Sequence, residues 1–189
     1  TAIFRPGPLS AKAHSLYVAN KSNPSQVHYE HPIIKEVLGD TYGLLVFQEQ
    51  LAMLAHKLGD NLSLDEGNLL RKVLTKKGTG KDSVKTKLYN KFVKGCNSHG
   101  LSEEVAKNLW AKMEFFSGYG FNLSHAVSYG AVSFQCAWLS YYYPVEWMAA
   151  FLDKEPEDRK AQAINTAKSF GFEVVPPSIN KSGRVWEIA

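Results

Sequence analysis

The side chains best placed to do chemistry on a polyanion lie at positions 71–94, where nine of 24 residues are Lys or Arg and only Asp82 is acidic. That stretch carries a formal +8 against +4 for the whole chain, so the remainder sums to −4. Charge this concentrated makes a poor core and a good contact for phosphates. The plain alternative is a solvated helix face. Ordinary surface helices, however, intersperse both signs, because opposite charges at i,i+4 stabilise a helix and like charges destabilise it. The dearth of acids favours a polyanionic partner, each neutralised phosphate adding about one counterion to the salt dependence. Lys81, Lys85, Lys87, Lys91 and Lys94 are the expected nucleic-acid contacts.

A second unusual run, Gly118-Tyr119-Gly120-Phe121-Asn122-Leu123-Ser124-His125, opens directly into a long apolar segment. Read blandly, it is a turn in which glycines supply positive φ and Phe121 plugs the core. Read functionally, Ser124 and His125 sit where the open amides of a following helix make an anion site, while Tyr119 and Phe121 offer flat faces to a base. The two readings stay open on residue chemistry alone.

Metal and hydrolase chemistry find little support. Cys96-Asn97-Ser98-His99 and His28-Tyr29-Glu30-His31 each have ligand spacing, but a structural zinc takes four ligands and the two pairs are far apart in sequence. No Gly-x-Ser-x-Gly elbow and no Gly-x-x-x-x-Gly-Lys-Ser/Thr loop occurs, and Gly78-Thr79-Gly80-Lys81 is too short to cradle a triphosphate alone.

Helices must position these residues. The first 35 residues read as loop, punctuated by Pro6, Pro8, Pro24 and Pro32, and 44–47 as a short β-branched and aromatic piece. Leu51, Leu54, Ala55 and Leu58 recur at helical spacing, with Gly59 as a stop. Ser63-Leu64-Asp65-Glu66 is a capping-box pattern that starts a helix through Leu70 and Leu74, ending in Arg71, Lys72, Lys76 and Lys77. A basic helix follows with Val84, Leu88 and Phe92 as its buried stripe. Ser102 caps another whose face is Val105, Leu109, Trp110, Met113 and Phe116. The apolar run 126–143 is interrupted by Ser128, Ser133, Gln135 and Ser140 and ended by Pro144, which predicts a buried core helix rather than a membrane span. A last helix carries Ala163, Ile164, Ala167 and Phe170 inward and stops at Gly171, before a strand at 172–175.

Composition bounds the rest. A chain of 189 residues, 44% apolar and 12% aromatic, can bury a core and is no low-complexity segment. Two cysteines exclude a disulfide framework and suit a reducing, cytoplasmic setting. No basic-plus-apolar leader opens the chain, and both termini read as cuts through a larger architecture. The expectation is a mainly α fold with a few short strands at the ends.

Five motifs then occur in order: Phe4-Arg5-Pro6-Gly7-Pro8; Tyr42-Gly43 to Phe47-Gln48-Glu49-Gln50; Leu69-Leu70-Arg71-Lys72 to Lys76-Lys77; Gly118-Tyr119-Gly120-Phe121-Asn122 to Ser124-His125-Ala126; and Tyr143-Pro144-Val145-Glu146 to Met148-Ala149-Ala150. With Val175-Pro176-Pro177 to Ile179-Asn180 after them, essentially the whole chain resembles the fingers region of the bacterial replicative, C-family DNA polymerases. The resemblance implies a helical fingers domain: 1–43 as the palm–fingers junction and lead-in, 44–152 as the fingers core, and 153–189 as the helix and strand leading out. It implies that Arg71, Lys72, Lys76 and Lys77 lie near the incoming deoxynucleoside triphosphate. Tyr119, Phe121, Asn122, Ser124 and His125 would form the loop meeting the nascent base pair, and Arg5 would stand at the junction, against DNA. Implied partners are template–primer DNA, dNTP, a palm-bearing chain or segment and replisome components such as a sliding clamp, with no membrane.

The sequence departs from that family at Leu123, where lysine is usual, at Lys72, where arginine is usual, and at Thr75, where glycine is common; positions 11–21 are also less basic. Lysine at 72 keeps the charge but loses the bidentate fork. Nucleotidyl transfer needs closely placed carboxylates holding two Mg²⁺ ions about 4 Å apart, and none of the six aspartates forms an Asp-x-Asp pair. The resemblance assigns those carboxylates to the palm, so this chain supplies no catalytic and no metal-binding residue and is expected to be inactive alone. A separately encoded split polymerase, a product of protein splicing and a piece of an intact polymerase are all compatible with Thr1. A non-catalytic helical module that binds nucleic acid through 71–94 is the rival reading; it explains the charge but not the loop or the motif order.

Overall fold

The computed structural model describes residues 2–75 and 82–188, which form two compact units, Thr1–Ala126 and Val127–Ala189. Among the described residues there are ten α-helices, in chain order α1 (Pro6–Ser10), α2 (Ala13–Ser22), α3 (Pro32–Leu38), α4 (Gln48–Leu58), α5 (Leu64–Thr75), α6 (Asp82–Ser98), α7 (Glu103–Ser117), α8 (Leu123–Tyr142), α9 (Pro144–Lys154) and α10 (Lys160–Ser169). The fold is mainly α, as expected.

The first unit is organised by α3 to α7 around one core. Leu51, Leu54, Ala55 and Leu58 of α4 meet Leu70 and Leu74 of α5, Leu88, Phe92 and Cys96 of α6, and Ala106, Leu109, Trp110 and Met113 of α7. Trp110 takes the ring of Tyr89 edge-on at 5.2 Å and that of Phe92 at 5.6 Å, geometries that favour the ring quadrupoles beyond simple burial. The capping box forms as its spacing predicts: Glu66 N–H donates to Ser63 Oγ (3.1 Å) and Ser63 N–H to Glu66 Oε2 (3.0 Å). Ser102 likewise caps α7, accepting from Val105 N–H at 3.3 Å. The second unit has a smaller core of Met148, Leu152, Ala163 and Ala167.

Four expectations are corrected. The first 35 residues are largely helical rather than loop, because Pro6 and Pro32 fall in the first turns of α1 and α3, where a missing N–H costs no helical bond. The segment 172–175 makes no strand ladder; Phe172 and Val174 instead pack against the smaller core. Phe170, expected inward, is 72% exposed. The chain passes through positive φ at Gly171 (86°), and Phe172 N–H bonds back to the Ala167 carbonyl at 3.1 Å, which turns Phe172 inward in its place.

The fourth concerns α8, expected to be a buried core helix: it has no buried residue, and Phe134, Tyr141 and Tyr142 are exposed. Its apolar side chains run all round the cylinder instead of along one stripe, and the core of the second unit is built by α9 and α10. No helix among the described residues is long and apolar enough to cross a membrane.

Candidate nucleic-acid and nucleotide interface

The loop at 118–125 is held by the segment that leads into α4. Phe121 N–H donates to the Val46 carbonyl (3.2 Å) and Gln48 N–H donates to the Phe121 carbonyl (2.8 Å), which makes an isolated parallel bridge between Phe47 and Phe121. The side chain of Gln48 adds a bond from Nε2 to the Gly120 carbonyl (3.0 Å), and Glu49 Oε2 accepts from Leu123 N–H (3.0 Å). This segment is itself fixed by the buried Gln50. Its Oε1 accepts from the amides of Val46 (3.0 Å) and Phe47 (2.9 Å), and its Nε2 donates to Thr41 Oγ1 (2.7 Å). Gln50 and Thr41 are two of the few buried polar side chains, and both are bonded, as burial requires.

Two cations converge on this clamp from distant parts of the chain. Arg71, on the third turn of α5, donates from Nη1 to Gln48 Oε1 at 2.5 Å. The guanidinium of Arg5 sits 4.8 Å from the ring centroid of Phe121, a cation–π distance. His125 meets the same ring edge-on at 5.3 Å. Tyr119 lies so close over Gly7 that any side chain there would collide with its ring. Residues 5–7, 46–50, 71 and 119–125 are therefore one neighbourhood. The expected site residues Arg5, Arg71, Tyr119, Phe121 and His125 are brought together in it.

Two details of the loop differ from the sequence expectation. Phe121 is 7% exposed, with Arg5 over its face and His125 at its edge, so its ring seats the loop and presents no open platform. Tyr119, at 41% exposure, is the loop aromatic that faces solvent. The start of α8 is also not an open row of amides. Leu123 N–H is taken by Glu49, and Asn122 Oδ1 accepts from His125 N–H (2.9 Å) and from Ser124 Oγ (2.6 Å). Asn122 is thus the N-cap, using its short side chain as Asn does best at that position. Asn122, Ser124, His125 and Lys72 are exposed, whereas Lys76, Lys77 and Lys81 lie outside the described residues.

The lysines of α6 have a different setting. Lys85 pairs with Glu114 of α7; Lys91 pairs with Glu66 of α5 at 2.7 Å, and Lys94 with Asp60 at 2.6 Å. The hydrogen bond from Lys91 is the main cause that holds the Glu66 carboxyl below its ordinary value, with the Ser63 amide helping; the Lys87 charge adds to the same effect. The missing acids of the basic stretch are therefore supplied across space, from before α5, from its first turn and from α7.

The two His/Cys pairs also meet in part, since the His31 and His99 rings lie 5.5 Å apart. His31 Nδ1 accepts from Ile33 N–H at 3.1 Å as the cap of α3. Cys96 is buried, and burial pushes its thiol up to about 12, away from the thiolate a metal needs. Among the described residues no three His, Cys, Asp or Glu side chains come together as a metal site.

Sequence reasoning passed over Gln48, Glu49, Asp60, Glu66 and Glu114 as parts of the two surfaces. Gln48 and Glu49 did stand in a quoted motif, which was the available signal; the three acids are separated from their lysines by 25 to 34 residues or lie on the far side of a turn, and left none.

Residues 1–100 match the family described as the bacterial DNA polymerase III alpha subunit finger domain. The chain is 38% identical over 182 residues to the DNA polymerase III subunit alpha of Aquifex aeolicus, covering 96% of this chain and 15% of that protein. It is 37% identical over 188 residues to that of Mycobacterium tuberculosis and 36% identical over 183 residues to that of Bacillus subtilis, in each case 96% of this chain and 16% of the relative. The chain spans about one-sixth of the length of these relatives. A match to the finger domain over more than half the chain, and relatives this similar along nearly all of it, mean that the chain belongs to the bacterial DNA polymerase III alpha subunit family, as its finger-domain region.

Proposed function

We propose that this region grips the incoming deoxynucleoside triphosphate and the template–primer end for a DNA-directed DNA polymerase. The convergence of Arg71, Arg5 and the 119–125 loop on the 46–50 clamp carries this reading, because residues scattered over 120 positions become one cationic and aromatic neighbourhood. In this reading Arg71, with Lys72, Lys76 and Lys77 beyond it, faces the phosphates. Tyr119, Asn122, Ser124 and His125 face the nascent pair, with Phe121 as the loop's anchor. Arg5 and the α6 lysines lie toward DNA.

The reaction joins a primer hydroxyl to the α-phosphorus and releases pyrophosphate. We assign the two Mg²⁺ ions and the carboxylates that hold them to a palm outside this chain. The palm, and replisome components such as a sliding clamp, are the partners this implies. The segments 1–43, 44–152 and 153–189 then serve as junction, fingers core and exit.

The test is nucleotide incorporation by the complete polymerase carrying Arg71→Ala or His125→Ala. Hydrogen bonds to charged groups are worth about 1.5–3 kcal/mol, so Arg71→Ala is expected to raise the KM for dNTP roughly 10- to 100-fold, with primer–template affinity largely kept. Wild-type KM in both variants contradicts the triphosphate assignment. A nucleic-acid module without nucleotide chemistry would instead show salt-sensitive DNA binding and indifference to both substitutions.

A further inference from the structure

Gln48 stands at the first position of α4, partly buried, and three of its polar groups go to different partners. The backbone N–H donates to the Phe121 carbonyl (2.8 Å), Nε2 donates to the Gly120 carbonyl (3.0 Å) and Oε1 accepts from Arg71 Nη1 (2.5 Å). The amide can be placed only one way round. Turned over, it would set NH₂ against the guanidinium and oxygen against the Gly120 carbonyl, two repulsive contacts in place of two bonds. Its stem is equally confined, since a Cβ at residue 120 would come within 2.8 Å of Gln48 Cγ.

The chemistry of the holder matters as much as its position. A carboxylate at 48 would still accept from Arg71, yet it would cancel much of the cationic charge and could not donate to Gly120. A neutral amide fixes the guanidinium without itself offsetting the charge. The contrast within the same unit is Lys91, whose partner Glu66 is a carboxylate.

We propose that Gln48 is the positioning residue that couples Arg71 to the Gly120–Phe121 backbone, holding the phosphate-facing cation and the base-facing loop at one fixed separation. It touches neither substrate and acts through both. This rests on the triphosphate reading of Arg71 given above.

The experiment is a double-mutant cycle in the complete polymerase, with saturating primer–template and varied dNTP, on Gln48→Ala, Arg71→Ala and the pair. Loss of a bond to a charged group predicts that Gln48→Ala raises KM about tenfold, with kcat within about threefold and primer–template affinity unchanged. In the Arg71→Ala background the same change adds less than about twofold, because the coupling is already gone. Gln48→Glu, close to isosteric, raises KM further than Gln48→Ala. Full, multiplicative loss in the double variant, or a fall of kcat and DNA affinity alongside KM, overturns the proposal in favour of a general structural role. Where thermal melts show that Gln48→Ala does not fold, Gln48→Glu decides: a wild-type KM overturns the coupling. Arg71→Ala with unchanged KM contradicts the fingers reading itself, whereas a raised KM there with a silent Gln48→Ala contradicts only this inference.

Discussion

The α6 lysines and Arg71 belong to one basic run in sequence and to two different environments in space. Lys85, Lys91 and Lys94 each meet a carboxylate from another part of the first unit, so much of their charge is spent on joining α6 to its neighbours. Among the contacts seen, Arg71 donates to a neutral amide and Arg5 lies over an aromatic face, neither of which carries a formal charge. Among its described residues, the stretch that reads as a formal +8 therefore places its cations in more than one setting. On the proposed reading, the identity of each cation's holder, and not its density along the chain, separates a phosphate contact from a structural cation.

The largest test of that contrast is the loss of nucleotide affinity expected for Arg71→Ala, with no comparable loss for any single α6 lysine. A smaller effect separates the lysines from one another. Among the described residues Lys87 makes no ion pair, its charge reaching Glu66 only at longer range, so Lys87→Ala is expected to lower the slope of log DNA affinity against log salt by about 0.9, one counterion. Lys85→Ala and Lys91→Ala should each change it by less than half of that and lower the melting temperature instead. A fall of about three for the triple variant would show that the ion pairs open for DNA, and the contrast would collapse into the single patch read from sequence.

The smallest effect is in acid. The Glu66 carboxyl is held below its unfolded value by Lys91 and the Ser63 amide. Its contribution to stability is thus present above the ordinary glutamate value of about 4.3 and is lost as the pH falls through the lowered folded value. Melting temperatures measured from pH 6 down to pH 3 should fall less steeply for Glu66→Gln than for wild type. Parallel curves would mean that the pair contributes nothing to folding.

Much of the helical scaffold was legible because its signals are local. The capping box at Ser63 and Glu66, the cap at Ser102 and the 3.6-residue stripe of α4 depend on residues three or four apart, and each formed. The misreadings came where tertiary context decides. Prolines at 6 and 32 looked like loop punctuation but occupy first helical turns, where they cost nothing. The apolar composition of α8 suggested burial, yet hydropathy records what a helix could bury and not what covers it.

The candidate site divides in the same way. The loop at 118–125 and Arg71 were singled out from residue types and motif order. That Phe121 is a plug, that Glu49 takes the first amide of α8, and that Gln48 joins the loop to Arg71 depend on partners 23 or more positions away along the chain, which no periodicity reports.

The central claim, that the Arg71–Gln48–loop cluster and not the α6 face meets the nucleotide, is tested most directly by photocrosslinking. An azido-substituted deoxynucleoside triphosphate would be bound to the complete polymerase on a matching primer–template, irradiated, and its adducts mapped by peptide mass spectrometry. Adducts within residues 119–125, competed away by the natural dNTP and lost in Arg71→Ala, are the predicted result. Adducts confined to residues 82–98, or unaffected by Arg71→Ala, would contradict the account.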